Sequence, residues 1–173
     1  FDCAVVYCNA EIFNQSCVFD NASVGGNAIV CENAKIFSHA EVYDDAIVKG
    51  NANIYFYAAV CGKSHVRGNT YVCGNSTIDN ASVTDDAWVL GNVFISDNAA
   101  IGGNAIIRSD DDYMTFKKNS LIGLYFTWTK SNNMWKAGDF YGTGDELIEK
   151  ASQISNKDGK FYEAFVELVK KIN

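Results

Sequence analysis

Valine or isoleucine recurs at every sixth residue: Val6, Ile12, Val18, Val24, Val30, Ile36, Val42, Val48, Ile54, Val60, Val66, Val72 and Ile78. After a single five-residue step the series resumes at Val83, Val89, Ile95, Ile101 and Ile107. Two residues before each of these stands Ala, Ser or Thr, with Val93 as the one larger residue. Small-x-aliphatic has a period of two, so both residues point to one side of a short strand and the flanking residues point to the other. β-Branched side chains suit such a half-buried, pleated surface. The two positions that follow are rich in Gly, Asp and Asn, which tolerate left-handed backbone at a corner. Asn21, Asn27, Asn33, Asn51, Asn69, Asn75, Asn80, Asn92, Asn98 and Asn104 all occupy the second corner position. Strand, corner and strand in endless succession predict a chain that coils into a solenoid. The five-residue step is expected to tighten one corner and leave the inward columns in phase, since a slip would turn every later side chain outward.

The repeat resembles the hexapeptide pattern of left-handed parallel β-helices: an aliphatic residue, a small or acidic one, two free positions, a small residue and another free position. The resemblance covers residues 3 to 108. It implies three six-residue sides per coil, hence an all-β solenoid, a left-handed parallel β-helix of about six coils, over residues 1 to 108. A small C-terminal α/β cap is expected over residues 109 to 173. The pattern is already running at Phe1, which leads us to expect further sequence upstream.

With three sides per coil, every third hexad shares a face. One face then carries Cys17/Phe19, Lys35/Phe37, Asn53/Tyr55, Tyr71/Cys73, Trp88/Leu90 and Ile106/Arg108 outward. Phe19, Phe37, Tyr55, Tyr71, Trp88 and Leu90 read as a continuous aromatic stripe. Soluble monomers rarely leave so large an apolar patch bare. Another subunit, the C-terminal segment folded back, or a ligand would cover it. Members of the resembled family are commonly trimers, which favours a homo-oligomer or a protein partner.

The repeat stops after Arg108. Ser109-Asp110-Asp111-Asp112 lacks the alternation and terminal Glu of a calcium loop and reads as a solvated linker. Strands are expected at Tyr113–Lys118, at residues 121 to 129 and at Met134–Ala137, with a turn at Ser131-Asn132-Asn133. Thr143 and Glu146 form a capping box that opens a helix. Residues 156 to 159 should break it. Phe161, Phe165, Leu168, Val169 and Ile172 then recur at helical spacing. Solenoids need such a segment to block an open end. The combination loosely resembles hypothetical hexapeptide proteins of phages and prophages, a resemblance that implies no activity.

The net charge of −7, with only 14 Lys and Arg, disfavours a nucleic-acid partner. No apolar run is long enough for a membrane span. The six cysteines are not spaced to stack above one another, so bridges are not expected. Free thiols at this density suggest a reducing, cytoplasmic setting. No metal site is expected.

Acyltransferases of the resembled family use acyl-CoA and an outward His as general base, usually with a loop excursion that shapes the acceptor pocket. This chain has two His. His39 takes a corner position in place of Asn, and His65 points outward beside Arg67. The array carries no loop insertion and nothing to complete a triad around His65. Carbonic anhydrases of the same fold would need three His for zinc. The leading expectation is a non-catalytic scaffold or binding protein that uses the aromatic face and needs no cofactor. The alternative is an acyl-CoA-dependent acyltransferase with His65 as base.

Overall fold

The structure, a computed structural model, describes residues 3–118 and 124–172. Each hexad forms a strand of two or three residues, beginning with Val5–Val6, Glu11–Ile12 and Cys17–Val18 and ending at Ile106–Ile107. Each strand pairs in parallel with the one three hexads along, giving three six-stranded sheets. Val24, Val42 and Val60 stack in register, 18 residues apart. The result is a β-solenoid of six coils.

Its interior is almost entirely apolar and sealed from the surface. From Ala22 to Ile107 the inward Ala, Val and Ile residues form one buried cluster. At about 1.5 to 3 kcal/mol for each large apolar side chain removed from water, these columns dominate stability. The five-residue step keeps the phase as expected. Asn80 adopts φ 50°, its side-chain oxygen accepts from the Lys63 N–H at 3.0 Å, and Val83 and Val89 remain fully buried.

Three hydroxyls replace Ala in the interior. Ser64 donates to the Ile78 carbonyl and Ser76 to that of Cys73. Thr70 Oγ1 has no hydrogen-bond partner among the described residues. Replacing one hydroxyl by a methyl of the same shape removes a buried orphan group. Thr70→Val is therefore expected to stabilise the fold by about 1 kcal/mol, read as a higher urea midpoint.

The corners divide their labour differently from the sequence expectation. Left-handed backbone falls mainly on the first corner residue, as at Asp20, Glu32, Ser38, Phe56 and Gly74. Most of the Asn residues at the second position are not left-handed; there, side chains build ladders. Asn33 donates to Asn51 at 3.2 Å, Asn51 to Asn69 at 2.8 Å, and Asn69 to Asp86 at 2.8 Å. Gly74 shows where glycine is needed: φ is +81°, and an added Cβ would lie 2.2 Å from the Gly91 carbonyl oxygen. Gly74→Ala is expected to cost roughly 1 to 3 kcal/mol. Ser38→Ala, already left-handed with a side chain, should cost much less in the same denaturation series.

The cap is a four-stranded antiparallel sheet, Tyr113–Lys118, Leu124–Thr129, Met134–Ala137 and Phe140–Gly142, with helices α1 (Gly144–Ile154) and α2 (Asn156–Ile172). The last strand was not apparent in the sequence, and residues 121 to 123 of the expected second strand lie outside the described residues. The Thr143/Glu146 capping box opens α1 as expected. Residues 156 to 159 do not break the helical run, however. The interruption is confined to Ser155, whose hydroxyl accepts from the Asp158 N–H and so caps α2. Gly159 lies inside α2 because α1 crosses there: an added Cβ would sit 2.0 Å from Ser152 Oγ.

Strand alternation sorts the cap sheet into two faces. Phe126, Trp128 and Trp135 pack with Leu147, Ala151, Tyr162, Val166 and Val169 in a second core. Thr127 and Lys136 point the other way, onto the last coil. There the solenoid side chains shrink to Ala100, Gly102 and Gly103, and the cap fills the space they leave. Thr127 Oγ1 accepts from the Ala100 N–H at 2.9 Å, and the Tyr141 ring lies against Gly103. Ser131 Oγ accepts from the Ile106 N–H at 2.7 Å, and Asn132 donates to the corner residue Asn104 at 3.2 Å.

Ser109, Asp110 and Asp111 are exposed, as expected of a solvated linker, but the segment is anchored as well. Asp110 accepts from the Phe94 N–H at 2.9 Å, and Asp112 from the N–H groups of Arg108 and Ser109 at 2.7 and 3.0 Å. These carboxylates satisfy the exposed edge of the final coil. No described helix is long and apolar enough to cross a membrane.

Candidate functional site

The third face carries the aromatic residues where the hexad pattern places them, but in two columns instead of one stripe. Phe19, Phe37 and Tyr55 each follow an inward aliphatic residue and stack directly. Ring centroids are 5.0 Å apart at both steps, with interplanar angles of 0° and 2°. Tyr71 and Trp88 precede their aliphatic residues, so they stand at the other edge of the sheet, 4.8 Å apart and tilted by 49°. Above Tyr55 the first column continues with Cys73 and the half-buried Leu90. The Tyr55 hydroxyl bonds to Cys73, which together with partial burial pushes its pKa up to about 12. Tyr43 and Cys61 repeat this pairing on the first face, where Tyr43 is likewise pushed up to about 12 by its Cys61 hydrogen bond and then by burial. Cys31, Cys61 and Cys73 are buried free thiols.

Face-to-face stacking leaves only ring edges outward in the first column. Such a surface interlocks with other apolar side chains and offers no broad ring face to a planar ligand. Among the described residues, contacts of the cap with this face lie at its last strand, where Ser131 meets Ile106. Phe161 and Phe165 of α2 pack on Phe116 and Phe126 of the cap sheet, and among the described residues no ring contact joins them to the third face.

The sequence reading missed the most exposed aromatics. Phe56 and Tyr57 occupy the corner beyond Tyr55, 53% and 63% exposed. Phe56 is held at φ 60° and leans on Tyr55 at 5.0 Å, while Tyr57 stacks on His39 at 4.9 Å. A bulky residue in left-handed backbone is uncommon. The signal was in the sequence, because Phe-Tyr stands where the template calls for Gly or Asp followed by Asn. These two residues carry the aromatic surface around the corner beside Tyr55, while Trp88, 44% exposed, stands at the opposite edge of the face.

His65 lies on a different face. It is exposed, and among the described residues its ring makes no hydrogen bond that would orient it. Its neighbour in register on the next coil is Ser82. The cap sheet overhangs this part of the second face and encloses a cleft of about 620 Å³, lined by His65, Arg67, Ser82, Tyr125 and Lys136 among others. Lys136 lies 3.8 Å from Asp85, with its side chain only 18% exposed. Burial opposes ionisation of Asp85. The Gly103 N–H, the Thr84 hydroxyl, Lys136 and Arg67 outweigh that and hold its carboxyl below the usual range. The third face thus presents a mainly apolar surface and the second a polar cleft, on opposite sides of one corner. No family model matches the chain, and no curated protein matches it.

Proposed function

We propose that this protein is a non-catalytic scaffold of the left-handed hexapeptide-repeat type, which binds a second copy of itself through the third face and its adjoining corner. The observation that carries this reading is Phe56. A large apolar side chain, half exposed in a backbone conformation that disfavours it, is costly in an isolated chain and useful in a contact. Tyr57 extends the same corner and Trp88 stands across the face at its other edge, and Trp and Tyr are the residue types that most often anchor interfaces. The edge-on ring columns beside them suit packing against side chains of a like surface. A trimer is the assembly that the resemblance favours.

Sedimentation equilibrium of the whole chain tests this. The expected mass is a multiple of 19.0 kDa. A mass of one chain at every concentration up to about 100 μM would overturn self-association. Less supports an acyl-CoA-dependent transferase with His65 as base, since a general base works best when a second group fixes its ring.

A further inference from the structure

We infer that the cleft between the second face and the cap binds a small organic phosphate, gripped between Arg67 of the solenoid and Lys136 of the cap. The first observation is the distribution of charge. Only five of the first 108 residues are Lys or Arg, in a chain of net charge −7. Yet Lys49 and Arg67 follow successive aliphatic residues of one column, Val48 and Val66, which pair in register. Among the described residues neither makes an ion pair. Like charges directly opposite one another are unfavourable; Asp85 offsets Arg67 from one side, and a bound anion would offset the pair further.

The second observation is that the cap brings another cation to the same place. Alternation along Met134–Ala137 sends Trp135 into the cap core and Lys136 out over Gly102, where the missing side chain makes room for its stem. Asp85 fixes Lys136 from one side, and Arg67 lines the opposite wall. Of the residues that line the cleft, Arg67 and Lys136 are basic and Asp139, exposed in the turn before Phe140–Gly142, is acidic; Asp85, paired with Lys136, balances one of the two positive charges.

The remaining groups match a phosphate ester. A guanidinium offers paired N–H donors that fit two phosphate oxygens, and an ammonium adds a point charge. Ser82 contributes a hydroxyl with no side-chain hydrogen bond among the described residues, and the His65 ring contributes an N–H. Leu124 and Tyr125 supply an apolar and aromatic wall on the cap side for the organic part. This site is independent of the self-association proposed for the third face.

Titration of the full chain with phenyl phosphate, followed by ³¹P NMR and calorimetry, tests the inference, with inorganic phosphate and benzoate as parallel probes. Phenyl phosphate should saturate, inorganic phosphate should bind more weakly, and benzoate should be weakest. Arg67→Gln and Lys136→Gln should each weaken phenyl phosphate about tenfold or more. Lys35→Gln, on the third face, should leave it unchanged. Because Lys136→Gln also removes the contact with Asp85, Arg67→Gln is the deciding variant: Arg67 is exposed and its loss should leave denaturation unchanged. Absence of saturation by phenyl phosphate at about 10 mM, benzoate binding as tightly, or equal weakening by Lys35→Gln would each overturn the proposal.

Discussion

Ile54→Asp is expected to abolish cooperative folding of the solenoid. Ile54 is fully buried at the middle of an inward column, paired in register with Ile36 and Val72. The interior around it is built from Ala, Val and Ile apart from the Thr70 hydroxyl on the next coil, with no cation to pair a carboxylate. Placing an unpaired charge there costs several kcal/mol after relaxation, a large part of the roughly 5 to 15 kcal/mol that holds a domain of this size. Each coil is stabilised mainly by its neighbours, so a broken middle coil also removes support from the coils on both sides. Circular dichroism should show loss of the β-sheet signal, or a urea midpoint far below that of the unmodified protein. Ile54→Val keeps the apolar column and should cost only about 1 kcal/mol. Equal midpoints for the two variants would mean that the interior is wet, and the apolar-core account of stability would fail.

The second large effect concerns assembly. Tyr55→Glu combined with Trp88→Glu is expected to reduce the protein to single chains while leaving each coil folded. Both side chains point outward, so the inward Val and Ile columns are untouched. Tyr55 gives up its Cys73 hydrogen bond, and two carboxylates enter a mainly aromatic and aliphatic surface that carries Lys35 and Arg108 as its charged residues. Burying them against a second copy should cost about 3 kcal/mol, roughly a hundredfold in association. Sedimentation would report the lower mass, and circular dichroism an unchanged sheet signal. Phe94→Glu is the matched control, since Phe94 is 52% exposed on another face. It should leave the assembly intact. If it dissociates the protein as well, the contact lies elsewhere and the third face is not the interface.

The inward columns, their phase across the five-residue step and the division of outward residues among three faces were all legible in the sequence. The reason is physical: a hexad decides locally which side chains face in, and its partners always lie 17 or 18 residues away. A one-residue slip of that register would expose Val and Ile. The aromatic residues of the third face were placed by the same arithmetic. Their separation into two columns was implicit in whether each preceded or followed its aliphatic residue. The corner aromatics Phe56 and Tyr57 were visible as departures from the template, but their exposure and mutual support needed coordinates.

What only the tertiary structure decided lies where periodicity ends. Asp110 and Asp112 look like a solvated acidic run, and become acceptors for unpaired N–H groups once the last coil lies beneath them. Gly159 looks like a helix breaker, and is a helix interior residue because α1 passes too close for a side chain. Lys136 is one lysine in a short strand until the cap docks on Ala100, Gly102 and Gly103 and carries it to the cleft that Arg67 lines. Those three small residues fit the repeat as well as any others, so nothing local marks them as a docking site. The contacts that give these residues their roles join elements with no fixed spacing between them. The repeat could therefore specify the tube, and only the packing of the cap against it could specify the cleft.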